Sequence, residues 1–319
     1  MADMDPNNPE GWERKVLEKV ALAAIAEQRT SRRWSMAFKM LVMVYLFIVL
    51  FLGMGWLKKG GDKSTGKHTA MVELRGVISS ESAASADNVT SGLQAAFKDT
   101  NTKGIVLRIN SPGGSPVQAG YINDEIKRLR GLHPDIPLYA VVEDICASGG
   151  YYVAVAADKI YVDKGSIIGS IGVVMDGFGF TGTMEKLGVE RRAITAGDNK
   201  KFLDPFSPVN PAHKAYAEKM IGEIHEQFIT VVREGRGKRL KENPDIFSGL
   251  VWTGPKSIEL GLADALGSVD SVARDVIKAE DIVDFTPREN IAERVARKFG
   301  AAMAEALVKV TAAGGAQLR

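Results

Sequence analysis

VVEDICASGGYYVAV, residues 141–155, is an apolar run broken once, at Ala147-Ser148-Gly149-Gly150, and then resumed. That pattern reads as a buried strand feeding a tight turn that opens a helix. The glycines permit backbone angles a larger residue resists, and they let another stretch of chain approach closely. A helix start leaves backbone N–H groups without intrahelical partners, and these can hold negative charge. Ser148 therefore falls on a sharp turn beside a candidate anion site, as an acyl-transfer nucleophile requires. The plain alternative is a strand–helix junction with an incidental serine, because Ser-Gly-Gly is common punctuation.

Outward from this stretch, strands and helices alternate. Ala70–Leu74, continued by Gly76–Ile78, reads as a first strand, and Ser85–Lys98 as a helix. Gly104–Ile109 is a buried strand, broken by Asn110-Ser111-Pro112-Gly113-Gly114-Ser115. Ala119–Leu132 is a helix with Ile122, Ile126 and Leu129 at core spacing. Pro137–Val142 leads into the opening stretch, and strands are expected at Lys159–Val162, Ile167–Val174 and Val189–Ile194. A long helix follows over Asn210–Arg236, with short elements at Val251–Gly254, Pro255–Leu260 and Ala263–Gly267. Ser271–Ala279 reads as a helix, Asp281–Thr286 as a last strand, and Arg288–Val310 as an amphipathic helix before a mobile end. This alternation argues an α/β fold with a largely parallel sheet.

The chain of 319 residues is 45% hydrophobic and 25% charged, as ordinary folded proteins are. A net charge of +2 gives no field that argues for nucleic acid. The single cysteine, Cys146, excludes an internal disulfide and a cysteine-based zinc site. His68, His133, His213 and His225 are too scattered for a metal motif.

Met40–Leu57 carries no charge and is long enough to cross a hydrocarbon layer of about 30 Å. Lys39 precedes it, and Trp56, Lys58 and Lys59 sit at its end, as interfacial anchors do. The run is longer than the core of a cleaved leader and lacks a small-x-small site after it, so it reads as a retained membrane anchor. Residues 1–39 read as a solvated tail, with an amphipathic helix over Glu10–Arg33 as the alternative. Residues 58–69 read as a Gly/Lys/Ser linker, 70–286 as the folded domain, and 287–319 as a C-terminal helix and tail. Basic residues flank the span almost equally, so charge does not orient it.

A serine nucleophile needs a base. None of the histidines falls in a glycine-rich or strand-end setting. The other base is a lysine kept neutral by desolvation. Lys200 and Lys201, in Ile194-Thr195-Ala196-Gly197-Asp198-Asn199-Lys200-Lys201-Phe202, are the candidates, although local composition alone reads them as solvated. The NSPGGS and ASGGYY breaks can each present backbone N–H groups, and together they could form an oxyanion hole. Neither has dinucleotide or Walker spacing.

NSPGGS, DICASGGYYVAVAAD, GSIIGSIGV and AGDNKKFLDPF, in that order, resemble the signal peptide peptidase A family of membrane-bound serine proteases, in its short single-domain form. A related inner-membrane protease branch is similar. The likeness runs from about residue 70 to 285. It implies a Clp-protease/crotonase fold, a spiral of β-β-α units. By position it implies Ser148 as nucleophile and Lys200 as general base, with Lys201 one register away. It further implies Gly114 and Gly149 as oxyanion donors and Ser170 as the residue that orients the lysine. Ile171 and Val173 are candidate substrate-binding positions, as are Ala156 and Ala157, with core packing the alternative for each. Cys146 reads as packing. The resemblance implies no metal or nucleotide cofactor, and a homo-oligomeric ring that supplies the burial a neutral lysine needs. It also implies a cytoplasmic N-terminus, a catalytic domain outside a bacterial inner membrane, and peptide substrates left as signal peptide remnants. The rival readings are a crotonase-like acyl-CoA hydratase or hydrolase, with Glu143 or Asp144 as its carboxylate, and a catalytically silent membrane scaffold.

Overall fold

The computed structural model describes residues 9–53 and 66–287, which divide into two compact units. The first unit, over its described residues, is one continuous helix, α1 (Pro9–Gly53). Its stretch Val16–Leu50 is long and apolar enough to cross a membrane. The expected solvated tail is thus helical from Pro9 onward. Its Ala-, Leu- and Glu-rich composition favours helix, and no glycine or proline interrupts it between Gly11 and Gly53. The end of the expected span, residues 54–57, lies outside the described residues, as do most of the linker and the expected C-terminal helix.

The second unit is an α/β layer structure. In chain order it contains β1 (His68–Arg75), α2 (Ala86–Lys98), β2 (Thr102–Ser111), α3 (Pro116–Leu132), β3 (Leu138–Ala147), α4 (Gly149–Ala154), β4 (Lys159–Val162) and β5 (Ile167–Gly169). Then come α5 (Thr181–Lys186), α6 (Pro211–Arg236), β6 (Val251–Thr253), α7 (Gly254–Glu259), β7 (Ala265–Leu266), α8 (Val269–Ser271) and β8 (Ile282–Asp284). A turn of π-helix, Val272–Ile277, extends α8. His68 and Thr69 belong to β1 rather than to a linker, and both are buried.

The sheet runs β6-β5-β3-β2-β1-β8, with β4 and β7 branching from β3. All pairings are parallel except β5 with β6. β3 is long enough to serve two neighbours. Its first half pairs with β4 through Tyr139–Val141, and its second half pairs with β5 through Ile145–Ala147. The sheet forks there, and Ser148 follows the end of the second branch.

The core lies between the sheet and α2, α3, α4 and α6. Leu93, Ile122, Ile126, Ile105, Leu107, Ile109 and Val232 are fully buried in it. Each such side chain contributes about 1.5–3 kcal/mol relative to exposure. Ser85 caps α2 by accepting from the Asn88 N–H, and Ser115 caps α3 by accepting from the Gln118 N–H. A buried ion pair fixes the far end of α6. Arg236, 1% exposed, makes two hydrogen bonds to Asp264, at 2.9 and 3.0 Å, and one to the Gly261 carbonyl.

Three expected strand segments differ. Ile167–Val174 stops as a strand at Gly169, because Gly169 (φ +118°) and Ser170 (φ +51°) turn the backbone out of the extended region. Val189–Ile194 forms no strand. It is largely exposed and joins no strand among the described residues, because the charged run Glu190-Arg191-Arg192 gives it no apolar face to bury. Gly76–Ile78 is reduced to one bridge, between Ile78 and Gly114.

Candidate active site

Two turns follow two adjacent parallel strands and touch. The turn after β2 is held by Ser111, whose hydroxyl donates to the Gly76 carbonyl (2.6 Å) and accepts from the Gly113 N–H (3.1 Å). Ile78 clasps the same turn from the other side. Its N–H donates to the Gly113 carbonyl, and its carbonyl accepts from the Ser115 N–H, both at 2.8 Å. These bonds engage residues on either side of Gly114. Among the described residues its own N–H has no partner.

The turn after β3 places Ser148 at φ +51°, ψ −123°, a conformation rare for any residue with a Cβ. The Ser148 N–H donates to the Gly169 carbonyl (2.8 Å), and its carbonyl accepts the Tyr152 N–H (3.0 Å). Among the described residues its hydroxyl has no hydrogen-bond partner, nor does the Gly149 N–H. The turns meet without room for side chains. A Cβ on Gly113 would lie 2.7 Å from the Gly149 nitrogen and 2.8 Å from the Ser148 Cβ. This close approach is why glycine stands there. Strain of this kind, of order 1–3 kcal/mol per residue, persists where surrounding structure over-determines it and clusters at functional sites.

These groups open into a cleft of about 380 Å³. Gly114, Ser148, Gly149 and Ser170 line one part; Ala119, Tyr152, Val173, Ile224 and Phe228 make another part apolar. Burial, with smaller contributions from the Asp124 and Glu234 carboxylates, raises the Tyr152 phenol above its usual range, so it stays protonated. No histidine is among the lining residues. The nearby His225 donates its Nε2–H to the Ile171 carbonyl at 3.2 Å.

The model of the family described as "Peptidase family S49" matches residues 131–282. The chain is 31% identical over 208 residues to the "Putative protease slr0021" of Synechocystis sp., covering 64% of this chain and 72% of that one. The chain belongs to the signal peptide peptidase A family, S49. It is also 29% identical over 199 residues to the "Putative signal peptide peptidase SppA" of Enterococcus faecium, covering 62% of this chain and 57% of that one. It is 46% identical over 182 residues to a Brucella melitensis protein named "Na(+)/H(+) antiporter NhaA", covering 57% of this chain. The chain spans only a quarter of that protein's length.

The S49 fold brings together five of the residues expected from sequence: Ser148, Gly149, Gly114, Ser170 and Val173. Ser170 repeats the Ser148 geometry, at φ +51°, with its N–H donated to the Leu250 carbonyl at 2.7 Å. Ile171 lies elsewhere. It is fully buried in the core and outside the cleft lining, because the kink at Ser170 turns its side chain inward. Ala156 and Ala157 are also core residues. Cys146 is buried packing, and burial pushes its thiol far above the ordinary range.

Lys200 is not brought to Ser148 within one chain. It is exposed, in a turn closed by its N–H donating to the Gly197 carbonyl. Lys201 lines a different cavity, with Asp198, Asp204 and His213. The surrounding segment is fastened locally. Asp204 accepts from the Ser207 hydroxyl (2.7 Å) and pairs with Arg191, whose guanidinium lies over the Phe206 ring. The segment also exposes large apolar side chains, among them Val174, Phe178, Leu187, Ile194 and Val209.

Residues not singled out from the sequence also shape the cleft. Tyr152 and Phe228 line it and pack against each other with their rings tilted by 50° (centroids 5.2 Å). Phe228 follows the core spacing of α6, which gives no hint that one edge of that helix faces a cleft.

Proposed function

We propose that this chain is a membrane-anchored serine endopeptidase with Ser148 as nucleophile, Lys200 as general base and the Gly114 and Gly149 N–H groups as the oxyanion hole. The observation that carries this reading is the pairing of two backbone donors and a serine hydroxyl on a strained backbone, all without partners among the described residues, in the lining of one cleft. Donors held in place by the fold cost no reorganisation when negative charge develops on the substrate oxygen.

The Ser148 oxygen adds to the scissile carbonyl carbon while its proton passes to neutral Lys200 Nζ. The carbonyl electrons move onto oxygen, which the two N–H groups hold. On collapse the C–N bond breaks and Lys200 returns the proton to the leaving amine. Water then adds to the acyl-enzyme by the same route, and Ser148 is regenerated. Ser170, lining the same cleft, orients the lysine.

A neutral lysine needs burial, which one chain does not give Lys200. The exposed apolar side chains between Val174 and Val209 favour a homo-oligomeric ring in which a second copy covers this segment and completes the site. The apolar helix over residues 40–53, with the expected span to 57, supports a membrane anchor. In this reading the N-terminus is cytoplasmic, the domain from about residue 70 to 286 is extracytoplasmic, and the substrates are peptides such as signal peptide remnants.

The hydratase reading is disfavoured, because neither of its candidate carboxylates lines the cleft. Glu143 pairs with Arg75 (2.8 Å), and Asp144 accepts from the Asn110 amide (2.7 Å). The test is fluorophosphonate labelling with turnover of a peptide panel by the full-length protein in detergent. Labelling and turnover that both vanish in Ser148→Ala support the protease. Turnover that survives Ser148→Ala rules this mechanism out.

A further inference from the structure

Asn123 is fully buried, on the face of α3 that meets α4. Its Nδ2 donates to the Tyr152 carbonyl at 2.7 Å, and its Oδ1 is buried with no partner among the described residues. The amide orientation is dictated by chemistry, since only the NH₂ half can bond a carbonyl. Leaving Oδ1 orphaned costs stability, whereas a leucine of similar size would leave the Tyr152 carbonyl without its donor instead. The hydrogen bond is therefore the feature that distinguishes asparagine here, and its position says what it does.

Ala119 sits four residues before Asn123 on α3, and Gly149 sits three residues before Tyr152 on α4. Those two earlier residues also meet: a Cβ on Gly149 would lie 3.5 Å from the Ala119 Cβ. Asn123 to Tyr152 is thus the same helix–helix contact one turn further along both helices. The contact relates two elements that carry the two oxyanion donors, because Gly114 immediately precedes the Ser115 cap of α3 and Gly149 begins α4. Tyr152 also lines the cleft, while the bond itself is made to its backbone carbonyl.

We propose that Asn123 is a positioning residue for the oxyanion hole, holding α4 in register with α3 so that the Gly114 and Gly149 N–H groups converge on one oxygen. This rests on the proteolytic reading above. Loss of the bond lets α4 slide on α3, which separates the donors while leaving the apolar cleft able to bind peptide. The effect falls on the transition state and not on the ground state.

The test compares full-length wild type with Asn123→Leu, which removes the donor while keeping the volume, and with Asn123→Ala. The readouts are kcat and KM on an apolar peptide, inhibition by an apolar peptide aldehyde, inhibition by the product peptide, and melting temperature. The aldehyde forms a tetrahedral adduct whose oxygen occupies the hole; the product does not. The expected result for Asn123→Leu is a kcat lower by about tenfold or more, since small misplacements of reacting groups cost up to about a hundredfold. KM and product inhibition stay within about twofold, aldehyde inhibition weakens in step with kcat, and the protein still melts cooperatively, at a somewhat lower temperature because the Tyr152 carbonyl has lost its donor. Wild-type kcat in Asn123→Leu overturns the proposal, as does equal weakening of aldehyde and product. Failure of both variants to fold also overturns it, by making Asn123 a core residue and nothing more. If wild type itself cleaves no peptide, the proteolytic reading fails and this inference falls with it. An active wild type matched by Asn123→Leu sinks the inference alone.

Discussion

Gly149 packs against Gly114 so closely that a Cβ placed on it would lie 3.3 Å from the Gly114 nitrogen. Gly114, at φ +147°, has no space for a side chain either, since a Cβ there would run into the Ile78 carbonyl. Gly114→Ala should therefore displace its own N–H from the cleft. We expect kcat on a peptide substrate to fall by about a hundredfold or more, the usual effect of losing one oxyanion donor. Steady-state kinetics on the folded variant check this. Unchanged kcat would mean that the Gly114 N–H holds nothing in the transition state.

Ser148→Ala should abolish fluorophosphonate labelling and lower peptide turnover by about three orders of magnitude or more. The lone Cys146 cannot substitute. Its thiol is buried and held protonated by that burial. Cys146→Ala is expected to leave turnover within about twofold, and thiol reagents to leave the native protein active.

If Lys200 reaches Ser148 from a second copy, two inactive variants should repair one another. Ser148→Ala and Lys200→Ala, co-expressed, would form mixed assemblies holding some sites with both groups intact. Turnover well above either variant alone is the expected outcome. Lack of any recovery, in assemblies shown to be mixed, would place both groups of each site on one chain. Lys201→Ala in the same series locates the base by residue, with retained activity expected.

The Arg236–Asp264 pair predicts an acid-sensitive fold. Burial alone would raise the Asp264 carboxyl, but the Arg236 hydrogen bonds and charge, with the Ile160 N–H, hold it below its ordinary value of 3.8. A carboxyl depressed in the folded state contributes stability that is fully present above its unfolded pKa. That contribution is lost as pH falls through the folded value. Melting temperature should drop below about pH 4, and Asp264→Asn should flatten that limb. Asp264→Ala leaves Arg236 buried and unpaired, which costs about 3–5 kcal/mol. Chemical denaturation measures both.

The sequence was most legible where hydrophobic runs are long. β1–β4, α2, α3 and α6 sit close to where their apolar spacing puts them, because each buries one face against the same core. It was least legible between Gly169 and Val209. Val173 and Val174 continue an apolar alternation, yet the positive φ at Ser170 ends the strand. Val189–Ile194 carries three consecutive charged residues, Glu190, Arg191 and Arg192, and forms no strand. The serine and glycine members of the candidate site could be read because their backbone geometry demands glycine at fixed positions. Lys200 carries no such local signal. Its surroundings are polar, and nothing within one chain desolvates it. Asn123 and Tyr152 were unreadable for another reason: their bond joins two helices whose register only the folded sheet sets.

The backbone angles of Ser148 set the folded protein's interests against those of its chemistry. Serine, with its Cβ, sits there under tension that glycine would relieve. Ser148→Gly should therefore give a dead protein that survives heating better than the living one, while Ser148→Ala keeps the tension and gains nothing. The glycine version is accordingly the better bait for capturing an uncleaved natural substrate.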